Sequence, residues 1–259
     1  MKFEEYKKIN IKKIILKYLL ILAVIILVFS SITIYLFAKE NRNTKKIQNK
    51  KADVVEKVKP VKSIEPYYNE LPTVRENYNN QNIMAKIEIP NMNINNYVTR
   101  TDNNSYYLNY NLYNVYDQIG APFIDYRNTD LVNAKQINIY GHNTQNEAIY
   151  DKLPFVNLEK YTDQATFEAN KTIYLYLDEK KVEYKIIAIK IVTTDIEHMK
   201  VSFSSDSDFK EHADKLLSDS LYRDQSEKVT KKDRLLVLQI CHYDPMGSYL
   251  LVIAKAVND

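Results

Sequence analysis

The sequence contains one cysteine, three glycines and no tryptophan in 259 residues. A single thiol excludes a disulfide within the chain, so no covalent cross-link supports the fold. The missing tryptophan, beside abundant Asn, Lys, Ile and Tyr, reads as coding bias and carries no physics of its own. The scarcity of glycine does carry information. A chain that uses so few keeps them where backbone geometry demands, at Gly120, Gly141 and Gly247. A strong charge of either sign is also missing. Thirty-six basic against 33 acidic side chains leave a net charge of +3. That is too little to argue for nucleic acid, and no stretch interleaves basic and aromatic residues as a nucleic-acid binder does.

What is present begins with a long uncharged run. Tyr18–Ala38, YLLILAVIILVFSSITIYLFA, has 21 residues without a charge. As a helix at about 1.5 Å per residue it spans roughly 31 Å, enough to cross a hydrocarbon core. The rival reading is a cleaved signal peptide, with a shorter apolar core and a small-x-small cleavage site. No good A-x-A follows the run, which favours a retained anchor. Basic residues flank both sides: Lys2, Lys7, Lys8, Lys12, Lys13 and Lys17 before it, and Lys39, Arg42, Lys45, Lys46, Lys50 and Lys51 after it. The positive-inside rule therefore decides nothing. The position of the run at the very N-terminus points to a cytoplasmic N-terminus.

The organisation expected is a cytoplasmic basic segment over residues 1–17, a transmembrane anchor over 18–38, a linker or stalk over 39–80 and a domain over 81–259. The stalk is polar and carries Pro60, Pro66 and Pro72. Within it, Tyr67–Tyr78 has the aromatics for a short helix packed on the domain. An exported domain with an unpaired thiol points to a reactive group or to intermolecular pairing. The competing reading is a buried cysteine acting as a small hydrophobe.

From Ile83 the pattern changes. Ile83, Ala85, Ile87 and Ile89 alternate with Met84, Lys86 and Glu88, a half-buried strand that stops at Pro90. Further strands are expected over Gln136–Tyr140, Thr172–Leu177, Val182–Thr194, Leu235–Ile240 and Tyr249–Ala256. One late helix carries Phe209, Ala213, Leu216 and Leu217 at i, i+4, i+7 and i+8, with Asp206 or Ser207 as the cap. Many strands without regular βαβ alternation predict a mainly antiparallel sheet closed, or nearly closed, into a barrel.

Cysteine catalysis needs an acid–base partner and donors for an oxyanion. Of four histidines, His198 reads as a surface-loop residue and His212 as a partly exposed helix residue. His242 adjoins Cys241, but neighbours on a strand project to opposite faces. It therefore points away from the thiol unless the strand kinks, while Tyr243 shares the thiol's side. His142 follows Gly141 at the end of the alternating run QINIY, a strand end where loops carry function.

Four blocks in order, GAPFIDYRN (Gly120–Asn128), QINIYGHN (Gln136–Asn143), LLVLQICHY (Leu235–Tyr243) and LLVIAK (Leu250–Lys255), resemble the class B sortases of Gram-positive bacteria. The resemblance extends over Ile83–Asp259 and implies a sortase-like eight-stranded β-barrel with a few short helices, behind an N-terminal transmembrane helix. It implies cell-surface transpeptidation without metal or cofactor. Cys241 attacks a C-terminal sorting motif of a surface protein, His142 protonates the leaving amine, and a peptidoglycan precursor amine resolves the thioester. The partners implied are such surface proteins, that amine and membrane lipid around residues 18–38, with the catalytic domain outside a single-pass membrane anchor. Two departures stand out. The family's arginine on the strand after the cysteine aligns with Tyr249, or with Ser248 one residue earlier, and the residue before the cysteine is Ile240 where the family usually has threonine. Tyr249 or Ser248 is then the possible oxyanion or substrate contact, and Arg100 and Arg127 are remoter candidates. The alternative is a degenerate sortase-like domain that binds sorting motifs or wall material without turnover. Resolution by water in place of an amine, as in a cysteine protease, uses the same thioester.

Overall fold

The computed structural model describes residues 69–193 and 199–257, together with residues 15–17, 19, 30, 31 and 35. The chain divides into two units, Met1–Glu65 and Pro66–Asp259. In the first, the described residues are helical. Among the described residues no helix is long and apolar enough to cross a membrane. The anchor expected over 18–38 lies outside them except at Leu19, Ser30, Ser31 and Tyr35, and the stalk expected over 39–80 lies outside them up to residue 68, as does His198.

The second unit holds strands β1 (Ile83–Ile89), β2 (Ile94–Thr99), β3 (Phe123–Ile124), β4 (Gln136–Gly141), β5 (Thr172–Tyr176), β6 (Lys181–Val192), β7 (Tyr222–Arg223), β8 (Leu235–Tyr243) and β9 (Met246–Ala256). Its helices are α1 (Leu71–Tyr78), α2 (Gln164–Ala169) and α3 (Asp206–Leu217). The strands run in the order β5-β1-β2-β3-β4-β8-β9-β6, and β6 pairs back to β5. Eight strands thus close into a barrel, which removes the exposed sheet edges of an open sheet. The two-residue β7 adds to β6 outside this ring. Pairing is antiparallel except at β2–β3 and β4–β8, which are parallel.

The alternation read in β1 holds residue by residue: Ile83, Ala85, Ile87 and Ile89 are buried and the residues between them are half-exposed. The nearly apolar run of β8 has a different cause. Leu236, Leu238 and Ile240 enter the barrel core, while Leu235 and Val237 face outward beneath Phe209, Ala213, Leu216 and Leu217 of α3. A strand covered on both faces loses its alternation. The strand also continues past Ile240 to Tyr243.

Helix α3 begins at Asp206, and its cap lies one residue before it. Ser205, in extended backbone, accepts from the Asp208 amide at 3.1 Å, so it is the cap in place of Asp206 or Ser207. His212 is not partly exposed as expected. It sits on the buried side of α3, 4% exposed, with Nε2 2.9 Å from Gln136 Oε1 on β4. The helical pattern missed this because a histidine with a buried amide partner packs as well as an apolar residue. Helix α1 buries Leu71 and Val74 against Ile83 at the start of β1.

Two glycines show what each was kept for. Gly120 has φ +65°, and a Cβ there would lie 2.4 Å from the Tyr107 carbonyl oxygen. Gly141 is kept for space. A Cβ there would lie 2.5 Å from the ring of Phe155, a fully buried core residue. Gly141→Ala should therefore destabilise the barrel by about 1–3 kcal/mol through overpacking. Chemical denaturation of the variant against the parent protein measures this, and an unchanged midpoint would contradict the close packing at this strand end.

Candidate active site

Strands β4 and β8 run parallel with an unbroken register, from Gln136 beside Leu235 to Gly141 beside Ile240. Gly141 and Ile240 are both buried, and Ile240 points into the barrel core. The next residues are Cys241, still on β8, and His142, which begins the loop after β4. Alternation sends Cys241 to the outer face, and the in-register ladder brings the start of the His142 loop to the same end of the strand pair. Both residues are half-buried. Burial pushes the Cys241 thiol above its ordinary 9.0. Burial also pushes the His142 imidazole below its ordinary 6.5. Near neutral pH Cys241 is then a thiol and His142 an uncharged imidazole, the form a base needs to take a proton.

His242 points the other way, as strand alternation requires. The register shift in the β8–β9 pairing falls after it, so the alternation holds through His242. It is 5% exposed, and its Nδ1 lies 2.6 Å from Glu159 Oε1. That contact is close enough for an ion pair but out of line for a hydrogen bond. Tyr243 shares the thiol's side, and its hydroxyl donates to the Asn143 carbonyl at 2.9 Å. Burial, then the nearby Cys241 and Glu159 charges, raise the Tyr243 phenol above its ordinary value. Asn143 in turn donates from Nδ2 to the Cys241 carbonyl at 2.8 Å. A cleft of about 410 Å³ opens beside these residues, lined by Asn143, Glu147, Tyr150, Asp151, Glu159 and Tyr243 among others. Among the described residues no cluster of side chains suited to a metal ion is present.

With this geometry in view, the comparisons with known proteins become informative. No protein-family profile matches the chain. Sortase B of Listeria monocytogenes serovar 1/2a (strain ATCC BAA-679 / EGD-e) is 31% identical over 144 residues, 56% of this chain and 56% of that relative. The chain thus aligns with little more than half the length of this curated relative. Two solved structures align more broadly. Sortase B of Clostridium perfringens superposes with a TM-score of 0.65 at 26% identity, covering 72% of this chain and 100% of the other. Sortase B from Listeria monocytogenes superposes with a TM-score of 0.62 at 27% identity, covering 72% and 99%. The chain is thus similar to sortase B proteins both in sequence and in fold.

Tyr249 and Ser248, the two positions that the resemblance aligns with an arginine, lie on opposite faces of β9. Tyr249 is the cross-strand partner of Cys241 on β9, so the two side chains leave the same face. The Tyr249 ring also packs against the apolar cluster beneath α3. Ser248 pairs with His242 on the other face and is 1% exposed. Its hydroxyl donates to the Pro245 carbonyl at 2.6 Å and lies 3.3 Å from that of His242, inside the turn that joins β8 to β9. Ser248 therefore serves the turn and does not face the thiol. The remoter arginines are committed elsewhere. Arg100 donates to the Asn128 carbonyl at 2.6 Å. Arg127 grips the fully buried Asp125 through Nε at 2.8 Å and an Nη at 2.7 Å. Burial alone would raise the Asp125 carboxyl, but its bonds from Arg127 and Tyr140 outweigh it and hold the group below its ordinary value.

Asn143 and Glu159 were not singled out in the sequence. Asn143 follows His142 directly, and that adjacency was a usable signal. Glu159 comes from the 3-10 turns over Val156–Thr162, and no local pattern ties that segment to the cysteine. The raised thiol has a direct consequence. The rate of Cys241 alkylation by iodoacetamide should climb with pH through a midpoint above 9.0. A midpoint near neutrality would mean a resting thiolate and would contradict this electrostatic picture.

Proposed function

We propose that the chain is a membrane-anchored cysteine transpeptidase of the sortase type, with its barrel outside the cell and the segment 18–38 as a single-pass anchor. It cleaves a C-terminal sorting motif of a surface protein and transfers the acyl group to a cell-wall amine. What supports this reading is the parallel register of β4 and β8, which ends at the residues just before His142 and Cys241, in a chain similar to sortase B proteins.

The chemistry follows from the pair. His142 takes the thiol proton, and the thiolate attacks the carbonyl carbon of the scissile peptide bond. A C–S bond forms and the carbonyl oxygen becomes an oxyanion. As the oxyanion collapses, the C–N bond breaks and the imidazolium gives its proton to the leaving amine. The thioester keeps the acyl group reactive until an incoming amine attacks it. The new amide forms, the C–S bond breaks, and the amine's proton returns through His142 to the thiolate. Tyr249 is assigned the oxyanion role in this reading, because it is the cross-strand partner of Cys241 and its side chain leaves the same face. A neutral donor stabilises an oxyanion less than a guanidinium does.

The alternative, a domain that binds sorting motifs without turnover, draws on the commitment of Arg100 and Arg127 to other partners. One experiment separates the two. Mass spectrometry of the protein after incubation with a small library of sorting peptides should show an acyl adduct on Cys241, absent in Cys241→Ala and formed far more slowly in His142→Ala. An adduct on Cys241→Ala, or none on the parent protein, would sink the transpeptidase reading. Where turnover is measured, kcat/KM should be bell-shaped. Its acid limb falls below 6.5, where His142 protonates, and its alkaline limb lies above 9.0, where Cys241 ionises. Tyr249→Phe should lower kcat by roughly 10- to 100-fold with KM little changed. An unchanged kcat removes Tyr249 from the oxyanion role.

A further inference from the structure

The ladder that aligns the thiol strand with the imidazole strand stops one step too early. Its last pair is Gly141 with Ile240, and His142 lies beyond it on a loop. Something other than strand pairing must fix the imidazole against the thiol. The residue after His142 is Asn143, 2% exposed. It bonds to β8 twice, on either side of His242. Its Nδ2 donates to the Cys241 carbonyl at 2.8 Å, and its own carbonyl accepts from the Tyr243 hydroxyl at 2.9 Å. Glu159 backs the clasp, with Oε2 3.4 Å from Asn143 Nδ2 and Oε1 2.6 Å from His242 Nδ1.

We propose that Asn143 is the positioning residue of the Cys241–His142 pair, with Tyr243 as its second anchor. Asn143 replaces the missing ladder bond with a side-chain amide and holds the imidazole loop on the thiol strand where backbone pairing has ended. The amide is suited to this task because it donates to a carbonyl without adding charge beside the nucleophile. A carboxylate there would repel both the Cys241 carbonyl and Glu159. A positioning role needs a tight hold, since a misplacement of about 1 Å at a reacting pair costs on the order of 10² in rate. The catalytic meaning rests on the transpeptidase reading, but the clasp itself does not.

The test uses the full chain in detergent micelles with histidine carrying 13C. The titratable groups lining the cleft at Asn143 are Glu147, Tyr150, Asp151, Glu159 and Tyr243, and Tyr249 stands across from Cys241 on β9. Asn143→Ala frees the loop, so His142 should titrate closer to 6.5 and the Cys241 alkylation midpoint should fall towards 9.0. Tyr243→Phe keeps the ring and loses only the hydroxyl, so it should shift both in the same direction by less. Lys160→Ala, an exposed change on the Glu159 segment, should shift neither. The His212 signal, buried against Gln136, reports in the same spectra whether the barrel is intact. If it moves in Asn143→Ala, Tyr243→Phe decides. With a sorting peptide that acylates the parent protein, Asn143→Ala should lower kcat about 10- to 100-fold with KM nearly unchanged. Wild-type titrations in both variants overturn the proposal, as does a loss confined to KM. If the parent protein forms no adduct, the transpeptidase reading fails while the two titrations still decide the clasp.

Discussion

The parallel pairing of β4 with β8 is the constraint on which the rest of the structure depends. Six consecutive register pairs fix which residue of one strand stands beside which residue of the other. Because side chains alternate, the same register fixes their faces. A slip of one residue would send either the thiol or the imidazole into the barrel core and leave the other outside. The core prevents that slip. Ile137 and Ile139 of β4 and Leu236, Leu238 and Ile240 of β8 all point inward to one apolar cluster. The chemistry is thus set by the burial of residues that take no part in it.

The outer face of this strand pair is no ordinary barrel exterior. On β8 Leu235 and Val237 are apolar and covered by α3 before Gln239 follows, while on β4 the face is polar. Gln136 donates to Asn138 at 2.9 Å and to the Lys200 carbonyl at 2.9 Å, and it meets His212 of α3. Further along, Tyr140 donates to Asp125 at 2.7 Å, and Arg127 closes the carboxylate from the other side. The buried polar groups named here have partners, as a buried network requires. This layer rigidifies the approach to His142 and uses up Arg127, a guanidinium that the sequence offered as a stand-in for the missing one.

Much of the barrel was legible because period-two alternation and all-apolar runs are local signals. The strands near Ile83, Gln136, Thr172, Lys181, Leu235 and Met246 were visible for that reason. Phe123–Ile124 and Tyr222–Arg223 were not, since two residues carry no period. Ile94–Thr99 was hidden because its exposed Asn and Tyr residues blur the alternation. The Cys241 and His142 positions came from a lone thiol, a glycine at a strand end and a family resemblance. Tyr249 and Ser248 stayed open together because alignment alone does not fix a face: one residue of offset on β9 changes it, and only the strand pairing shows which. Glu159 was invisible because its contacts with His242 and Asn143 span long stretches of chain.

Cys241, the proposed nucleophile, sits on β8, a strand paired on both sides and enclosed on both faces over most of its length. Its partner sits one residue past the end of a strand, on a loop. The two halves of the pair therefore differ in how they can be disturbed. Fraying that spares the barrel leaves the sulfur where it is, whereas a modest excursion of the loop withdraws the imidazole. Loss of chemistry by local motion is then a matter of the base leaving the nucleophile, and the sulfur departs only when the whole barrel opens.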